Sequence, residues 1–228
     1  MANWHEVWSR RSHGAATDVL QSLVEMDGFD GGAGKISADD WRSYGHVVAD
    51  RLGVGPGKSV FEVGCGSGAF LYVMHELGAA VGGLDYATNL LETARRFLPD
   101  GRFVHGNAAE LPVAPPFDFV IANSVFHYFP DEGYAAKVLG RMLEKAQVGV
   151  AVLDVPDAAT RDEAERVRSA GLSAKEYEQK YAGLHHRYYP RAWFAEQAAR
   201  HGWKCHQAGQ QIANYPQSAF RFNSFFSR

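Results

Sequence analysis

From residue 58 onward, short apolar runs alternate with longer stretches whose apolar residues recur every three or four positions. The short runs predict strands over residues 58–63, 80–84 (closing at Asp85), 102–105, 117–122 and 147–153. Between them, a helical stretch from Ala69 to Leu77 is closed by Gly78. A second is capped by Thr88 or Asn89 and ends near Leu98-Pro99. A third opens at Pro130-Asp131 and sets Tyr134, Val138 and Met142 on one face. Pro190 and Gly202 bracket a last helix, and residues 203–207 and 219–226 read as two closing strands joined by a polar loop containing Pro216. Strands alternating with helices predict an α/β fold, a doubly wound, mostly parallel sheet covered by helices on both faces.

The first fifty residues carry no strand signal. Trp4, Trp8, Leu20, Leu23 and Val24 suit helical faces, and Ser37 is placed to cap a helix through Trp41, Tyr44, Val48 and Leu52. Residues 27–35 are glycine-rich and faintly like a phosphate loop, but the Gly-x-x-x-x-Gly-Lys-Ser/Thr spacing is missing, so they read as a turn. The chain of 228 residues suits one domain, and its 46% hydrophobic content supplies a core. A formal charge of −3 without a Lys/Arg block argues against a nucleic-acid partner and for a small-molecule one. No run approaches the ~20 apolar residues of a membrane span, and the N-terminus lacks the pattern of a signal peptide. Cytoplasmic localisation is the resulting expectation. Cys65 and Cys205 make neither a disulfide framework nor a metal cluster, the histidines show no metal-ligand spacing, and no metal site is expected.

The chemistry concentrates at Val60-Phe61-Glu62-Val63-Gly64-Cys65-Gly66-Ser67-Gly68, where a strand runs into a glycine turn and a helix begins. Glycines let a ligand approach the backbone closely, and the helix N-terminus offers free N–H groups. Asp85, at the end of the second strand, stands where an acid accepts from ribose hydroxyls. The turn with Ala69 also satisfies Gly-x-Gly-x-x-Gly/Ala, so a nicotinamide cofactor is an alternative. Glu62 argues against it, because a carboxylate suits a cationic ligand and sits poorly beside a pyrophosphate.

Residues 61–68 resemble motif I of the class I S-adenosylmethionine-dependent methyltransferases. Gly83-Leu84-Asp85-Tyr86-Ala87 resembles the family's second motif, and Gly106-Asn107-Ala108-Ala109-Glu110-Leu111-Pro112 its third, with Asn107 where an Asp is usual. Residues 117–120, followed by Asn123-Ser124-Val125-Phe126-His127-Tyr128, resemble the fourth-strand motif and its loop. The resemblance implies a Rossmann-like sheet of seven strands in the order 3-2-1-4-5-7-6, the last antiparallel. It implies S-adenosylmethionine as cofactor, held by Trp41, Tyr44, Glu62, Gly64, Cys65, Gly66, Ser67, Gly68, Asp85, Tyr86, Asn107, Ala108, Asn123 and Ser124. Asn107 retains a carbonyl to accept from the adenine amino group. The expected layout is a helical lid over residues 1–52, a Rossmann-like domain over 53–228, and a charged helical lid insertion over 157–184.

The expected reaction is methyl transfer to an oxygen or nitrogen of a small-molecule metabolite. A nicotinamide-dependent oxidoreductase, or an S-adenosylmethionine-binding protein that does not methylate, are the alternatives. His127 follows the fourth strand and is the first candidate for a general base; His185 and His186 are the second. Each histidine also has a plain reading, packing for His127 and a solvated pair for the others. Trp41 equally suits a stripe packed on the sheet, and Cys65 a small filler of the glycine loop. Asp154 suits either an acceptor contact or a turn cap.

Overall fold

The computed structural model describes residues 4–11, 18–29, 36–169, 173, 175–176 and 184–228. Seven strands form one sheet, β1 (Ser59–Val63), β2 (Ala80–Asp85), β3 (Arg102–His105), β4 (Phe117–Asn123), β5 (Ala146–Pro156), β6 (Lys204–Gly209) and β7 (Arg221–Ser227). Their order is β3-β2-β1-β4-β5-β7-β6. The pairs among β1 to β5 are parallel, while β7 runs antiparallel to both β5 and β6. This is the sheet that the sequence resemblance implied.

Eight α-helices are described, α1 (Trp4–Ser9), α2 (Val19–Val24), α3 (Ala38–Leu52), α4 (Ala69–Glu76), α5 (Thr88–Phe97), α6 (Glu132–Lys145), α7 (Arg161–Ser169) and α8 (Arg191–Arg200). Helix α3 begins at Ser37 with the expected cap: Asp40 N–H donates to Ser37 Oγ, while Asp40 in turn accepts from the Ser37 backbone. Helix α5 departs from expectation. Neither Thr88 nor Asn89 caps it; Ala87 holds the N-cap position and supplies no side-chain bond. Its place is taken by Asp85, whose carboxylate accepts from Ala87 N–H at 2.8 Å.

The inner parallel strands β1, β2, β4 and β5 are mostly buried and therefore read as apolar runs, while the edge strand β3 is largely exposed. One core joins α2, α3 and α4 to the sheet through Leu20, Leu23, Trp41, Val48 and Phe70. The other packs α6 and α8 on the opposite face through Val138, Met142, Phe194 and Phe222. Strand β5 runs three residues past its predicted end. It is interrupted by a register shift against β7 between Val152 and Val155, and Asp154 lies inside that irregularity. Helix α7 falls within the charged insertion expected over 157–184, most of whose remainder lies outside the described residues, as do residues 30–35 of the glycine-rich turn. Among the described residues, no helix is long and apolar enough to cross a membrane.

Candidate active site

The C-terminal ends of β1, β2 and β4 open into a cavity of about 380 Å³. The loop that leaves β1 is glycine-rich, which brings backbone to the wall. Gly64 and Gly66 both have positive φ, at 72° and 52°, the left-handed region that glycine enters without penalty. A Cβ on Gly64 would meet Val125 Cγ2 at 2.6 Å. A Cβ on Gly66 would collide with Asp27 Oδ1, so the first obstacle there is a side chain from the N-terminal segment.

Asp85 locks this turn to β2. Its Oδ2 accepts from Gly66 N–H at 2.9 Å while its Oδ1 accepts from Ala87 N–H. Tyr86 N–H acts on the same carboxylate, whose four acceptor sites leave capacity for a further donor, and the side chain lines the cavity. Burial raises the Asp85 carboxyl above its usual range, against the lowering effect of these backbone bonds. Glu62, at 3% exposure, also lines the cavity, and its Oε2 has no hydrogen-bond partner. Burial pushes the Glu62 carboxyl well up, reinforced by the charges of Asp27 and Asp85. A buried carboxylate oxygen without a donor is costly, and a cation bound beside it would satisfy it.

Eleven of the fourteen expected cofactor residues stand on the cavity wall: Trp41, Glu62, Gly64, Cys65, Gly66, Asp85, Tyr86, Asn107, Ala108, Asn123 and Ser124. Ser67, Gly68 and Tyr44 stand behind it. Ser67 Oγ donates to Leu23 O at 3.1 Å and so ties the loop to α2. Tyr44 OH donates to Asn123 Oδ1 at 3.0 Å, supporting a wall residue from beneath. Trp41 fills both of its expected parts: its ring is packed in the core and lines the cavity, with Nε1 donating to Ala69 O at 3.1 Å. Cys65 Sγ sits 2.6 Å from where a Cβ on Gly83 would be, and burial raises its thiol well above the ordinary value. It fills space between two strands. Asn107 caps a short turn, and its Oδ1 accepts from Tyr134 OH and Ala109 N–H. Any adenine amino group would share that oxygen with two protein donors.

The histidines occupy other positions. His127 is 2% exposed and does not line the cavity; its ring packs on Tyr128, at 3.9 Å between centroids, and on His186 at 4.5 Å. Burial, with His186 and Arg221 close by, drives its pKa well below the usual value. The residue after it, Tyr128, reaches the cavity wall. His185 is exposed; its backbone carbonyl accepts from Trp4 Nε1 at 3.3 Å. His186 is half-buried against Trp4 and Tyr128.

Sequence reasoning missed three groups. Asp27 lines the cavity and bonds to the loop at Ser67 N–H and Ala69 N–H, at 2.7 and 3.3 Å. Arg221 is buried and pairs with Asp154 through Nη1–Oδ2 at 2.8 Å. Asp154 also accepts from Ser124 Oγ at 2.7 Å and from Gln210 Nε2 at 3.2 Å. Ser124 and Asp154 both hold left-handed backbone, with φ of 59° and 58°, at the ends of neighbouring strands. Such conformations cost energy in non-glycine residues and cluster at functional sites. The third group is the rim of Trp4 and Trp8, which line the cavity and pack on Tyr128 at 4.5 and 5.7 Å.

The residues present fit S-adenosylmethionine: the buried acids would offset its positive charge, Asp85 would accept from hydroxyls, and the glycine turn leaves room for close approach. Among the described residues, no group of three or more His, Cys, Asp or Glu is placed to hold a metal ion.

Comparison with known proteins agrees with this geometry. Residues 61–149 match the family described as Methyltransferase domain. The chain is 34% identical over 125 residues to a trans-aconitate 2-methyltransferase of Rhodopseudomonas palustris (strain HaA2), covering 54% of this chain and 48% of that protein. The chain thus spans about half the length, or less, of the curated relatives it matches. A magnesium protoporphyrin IX methyltransferase from Synechocystis PCC 6803, solved with bound S-adenosylhomocysteine, shares the fold with a TM-score of 0.64 at 16% identity, over 83% of this chain and 84% of that one. An amino pentose methyltransferase from Micromonospora echinaspora, solved with S-adenosylmethionine, gives 0.62 at 14% identity, over 95% and 99%.

Proposed function

We propose that the chain is a class I S-adenosylmethionine-dependent methyltransferase that transfers a methyl group from S-adenosylmethionine to an oxygen or nitrogen of a small molecule. The observation that carries the reading is the partnerless Oε2 of Glu62, buried in a cavity wall that also presents Asp27 and Asp85. Bound there, S-adenosylmethionine supplies an electrophilic methyl group on a sulfonium sulfur. Glu62 and Asp27 offset positive charge, Asp85 accepts from the ribose hydroxyls, and Asn107 with Ala108 borders the base.

The acceptor side is the wall of Ser124, Val125, Tyr128, Phe129 and Pro130, closed over by Trp4 and Trp8. A cavity enclosed by aromatic rings excludes water and suits a small acceptor with apolar or aromatic surface. Relatives named for trans-aconitate and for a porphyrin support a small acceptor. Alignment of donor and acceptor within this cavity carries the catalysis. His127, held behind Tyr128, sets the position of that ring against the acceptor, and its burial disfavours the protonated form.

Isothermal titration with S-adenosylhomocysteine and with NADH tests the cofactor, and transfer of a labelled methyl group to a panel of small carboxylates, phenols and amines tests the reaction. Binding of S-adenosylhomocysteine with no response to NADH is expected. NADH binding without S-adenosylhomocysteine binding would replace the reading with the oxidoreductase one.

A further inference from the structure

The N-terminus of α4 is capped from a distance. Gly68, its N-cap residue, has no side chain to offer, and the two free N–H groups at Ser67 and Ala69 instead meet Asp27, forty residues earlier in the chain. Asp27 follows Met26, which is buried against Ala87 and Leu90, and precedes Gly28, whose φ of 93° turns the chain back. A Cβ on Gly28 would strike Trp8 Cη2 at 2.7 Å, so the turn is fixed by packing as well. The Asp27 carboxylate is thereby held on the cavity wall together with Glu62 and Asp85.

Three carboxylates around one cavity repel one another, and the partnerless oxygen of Glu62 adds a buried acceptor with nothing to accept. Hydrogen bonds from Ser67 and Ala69 favour the charged form of Asp27, yet burial and the charge of Asp85 outweigh them and push its carboxyl up to about 7. The other charged groups near this corner are few. Glu62 and Asp85 are raised in the same direction, and His105, which lies against Tyr86 O, acts weakly in the opposite sense on Asp85. Arg11 is directed to the Glu25 carbonyl at 2.7 Å and to the Trp8 ring. A cation entering the cavity therefore meets three acidic side chains on its wall.

We propose that Asp27 is a donor-selecting residue: its carboxylate, set against the glycine loop beside Glu62, favours positively charged S-adenosylmethionine over S-adenosylhomocysteine, whose sulfur is neutral. The inference rests on the cofactor reading given above. Donor and product differ by one methyl group and one positive charge, and a hydrophobic pocket discriminates a single methyl weakly. A fixed negative charge several ångströms away discriminates the sulfonium by about tenfold or more at the effective dielectric of a protein site. This bias assists turnover, because loss of the methyl group removes the charge that Asp27 holds and loosens the product.

The test is the ratio of the two affinities, measured by titration at pH 6 and pH 8. Ionised Asp27 dominates above pH 7, so in the wild-type chain the preference for S-adenosylmethionine is expected to rise about tenfold from pH 6 to pH 8. Asp27→Asn keeps an oxygen to accept from Ser67 N–H and removes the charge. In that variant the ratio is expected to fall about tenfold at pH 8 and to lose its pH dependence. An unchanged ratio in Asp27→Asn, or a wild-type ratio that is flat with pH, overturns the proposal and leaves Asp27 as a helix cap. If Asp27→Asn does not fold, the wild-type pH series decides alone. Wild-type protein that binds neither molecule overturns the cofactor reading and this inference together.

Discussion

At the scale of single residues, Glu62 exposes a trade between stability and binding. Its carboxyl is raised in the fold, so the folded state holds a proton more tightly than the unfolded chain does. The sign follows: its contribution is favourable below the unfolded value of 4.5 and is lost as pH rises toward the folded value. Each step up in pH therefore works against the ligand-free protein here, because no donor meets Oε2 to offset the charge as it forms. Glu62→Gln is expected to raise the melting temperature of the ligand-free protein at pH 8 by about 2–4 °C, the shift that ~1 kcal/mol produces in a domain of this size. The same substitution is expected to weaken S-adenosylmethionine about tenfold or more, since a charge-assisted contact contributes ~1.5–3 kcal/mol. Thermal scanning and titration read the two effects, and a variant that is less stable as well as weaker would show that Glu62 has a structural partner. Asp85→Ala is expected to cost at least as much affinity, because it removes the ribose acceptors and frees Gly66 N–H in one step. Gly66→Val is expected to abolish binding: at φ 52° a branched residue is strained, and its Cβ would push Asp27 off the loop.

At the scale of elements, the ends of β4 and β5 form a buried unit that the sequence did not announce. Asp154 pairs with Arg221 across the antiparallel step to β7, accepts from Ser124 Oγ, and donates its own backbone N–H to Asn223 Oδ1 at 2.8 Å. Asp154→Ala leaves the Arg221 charge buried without its anion and is expected to cost about 3–5 kcal/mol in urea unfolding. A cost under about 1 kcal/mol would mean that Arg221 finds another acceptor or reaches water. What was legible earlier was local. The strands announced themselves as apolar runs, Ser37 as a cap, Pro130-Asp131 as a helix start, and Glu62, Gly64, Gly66 and Asp85 as one turn with its two acids. Asp27 and Arg221 were not legible, because each acquires its role from a contact 40 and 67 residues away that only the folded topology creates. Likewise, His127 and Tyr128 are adjacent in sequence, and periodicity alone does not decide which of the two faces the cavity. The structure points Tyr128 in and buries His127, whose depressed pKa makes the folded state bind fewer protons than the unfolded chain. Stability from this residue is present above 6.5 and is lost as pH falls below it.

At the scale of the whole molecule, the N-terminal segment divides into two parts with different attachments. Helix α2 is anchored: Leu20, Leu23 and Val24 are fully buried in the core beside Trp41 and Phe70. Helix α1 is held at the rim by polar and aromatic contacts, with Trp4 O accepting from Tyr86 OH at 3.3 Å and Asn89 Nδ2 donating to Arg11 O at 2.7 Å. Its two tryptophans rest on Tyr128 across the mouth of the cavity. A segment attached mainly through surface contacts opens at lower free energy than one buried in the core. Ligand entry needs a path, and the path that breaks fewest buried apolar contacts lifts α1 while α2 stays seated. We expect amide hydrogen exchange in residues 4–9 to slow when S-adenosylhomocysteine binds, and exchange in residues 19–24 to change little. Asp27 lies just past α2, beside the turn at Gly28 that faces Trp8, so a ligand that engages it stabilises the base of the cover. Truncation of residues 1–11 should then raise the rate of cofactor dissociation more than it lowers the melting temperature of the ligand-free protein. If α1 and α2 gain protection equally, the segment closes as one body. If neither gains any, α1 is a fixed wall and the cavity is entered elsewhere.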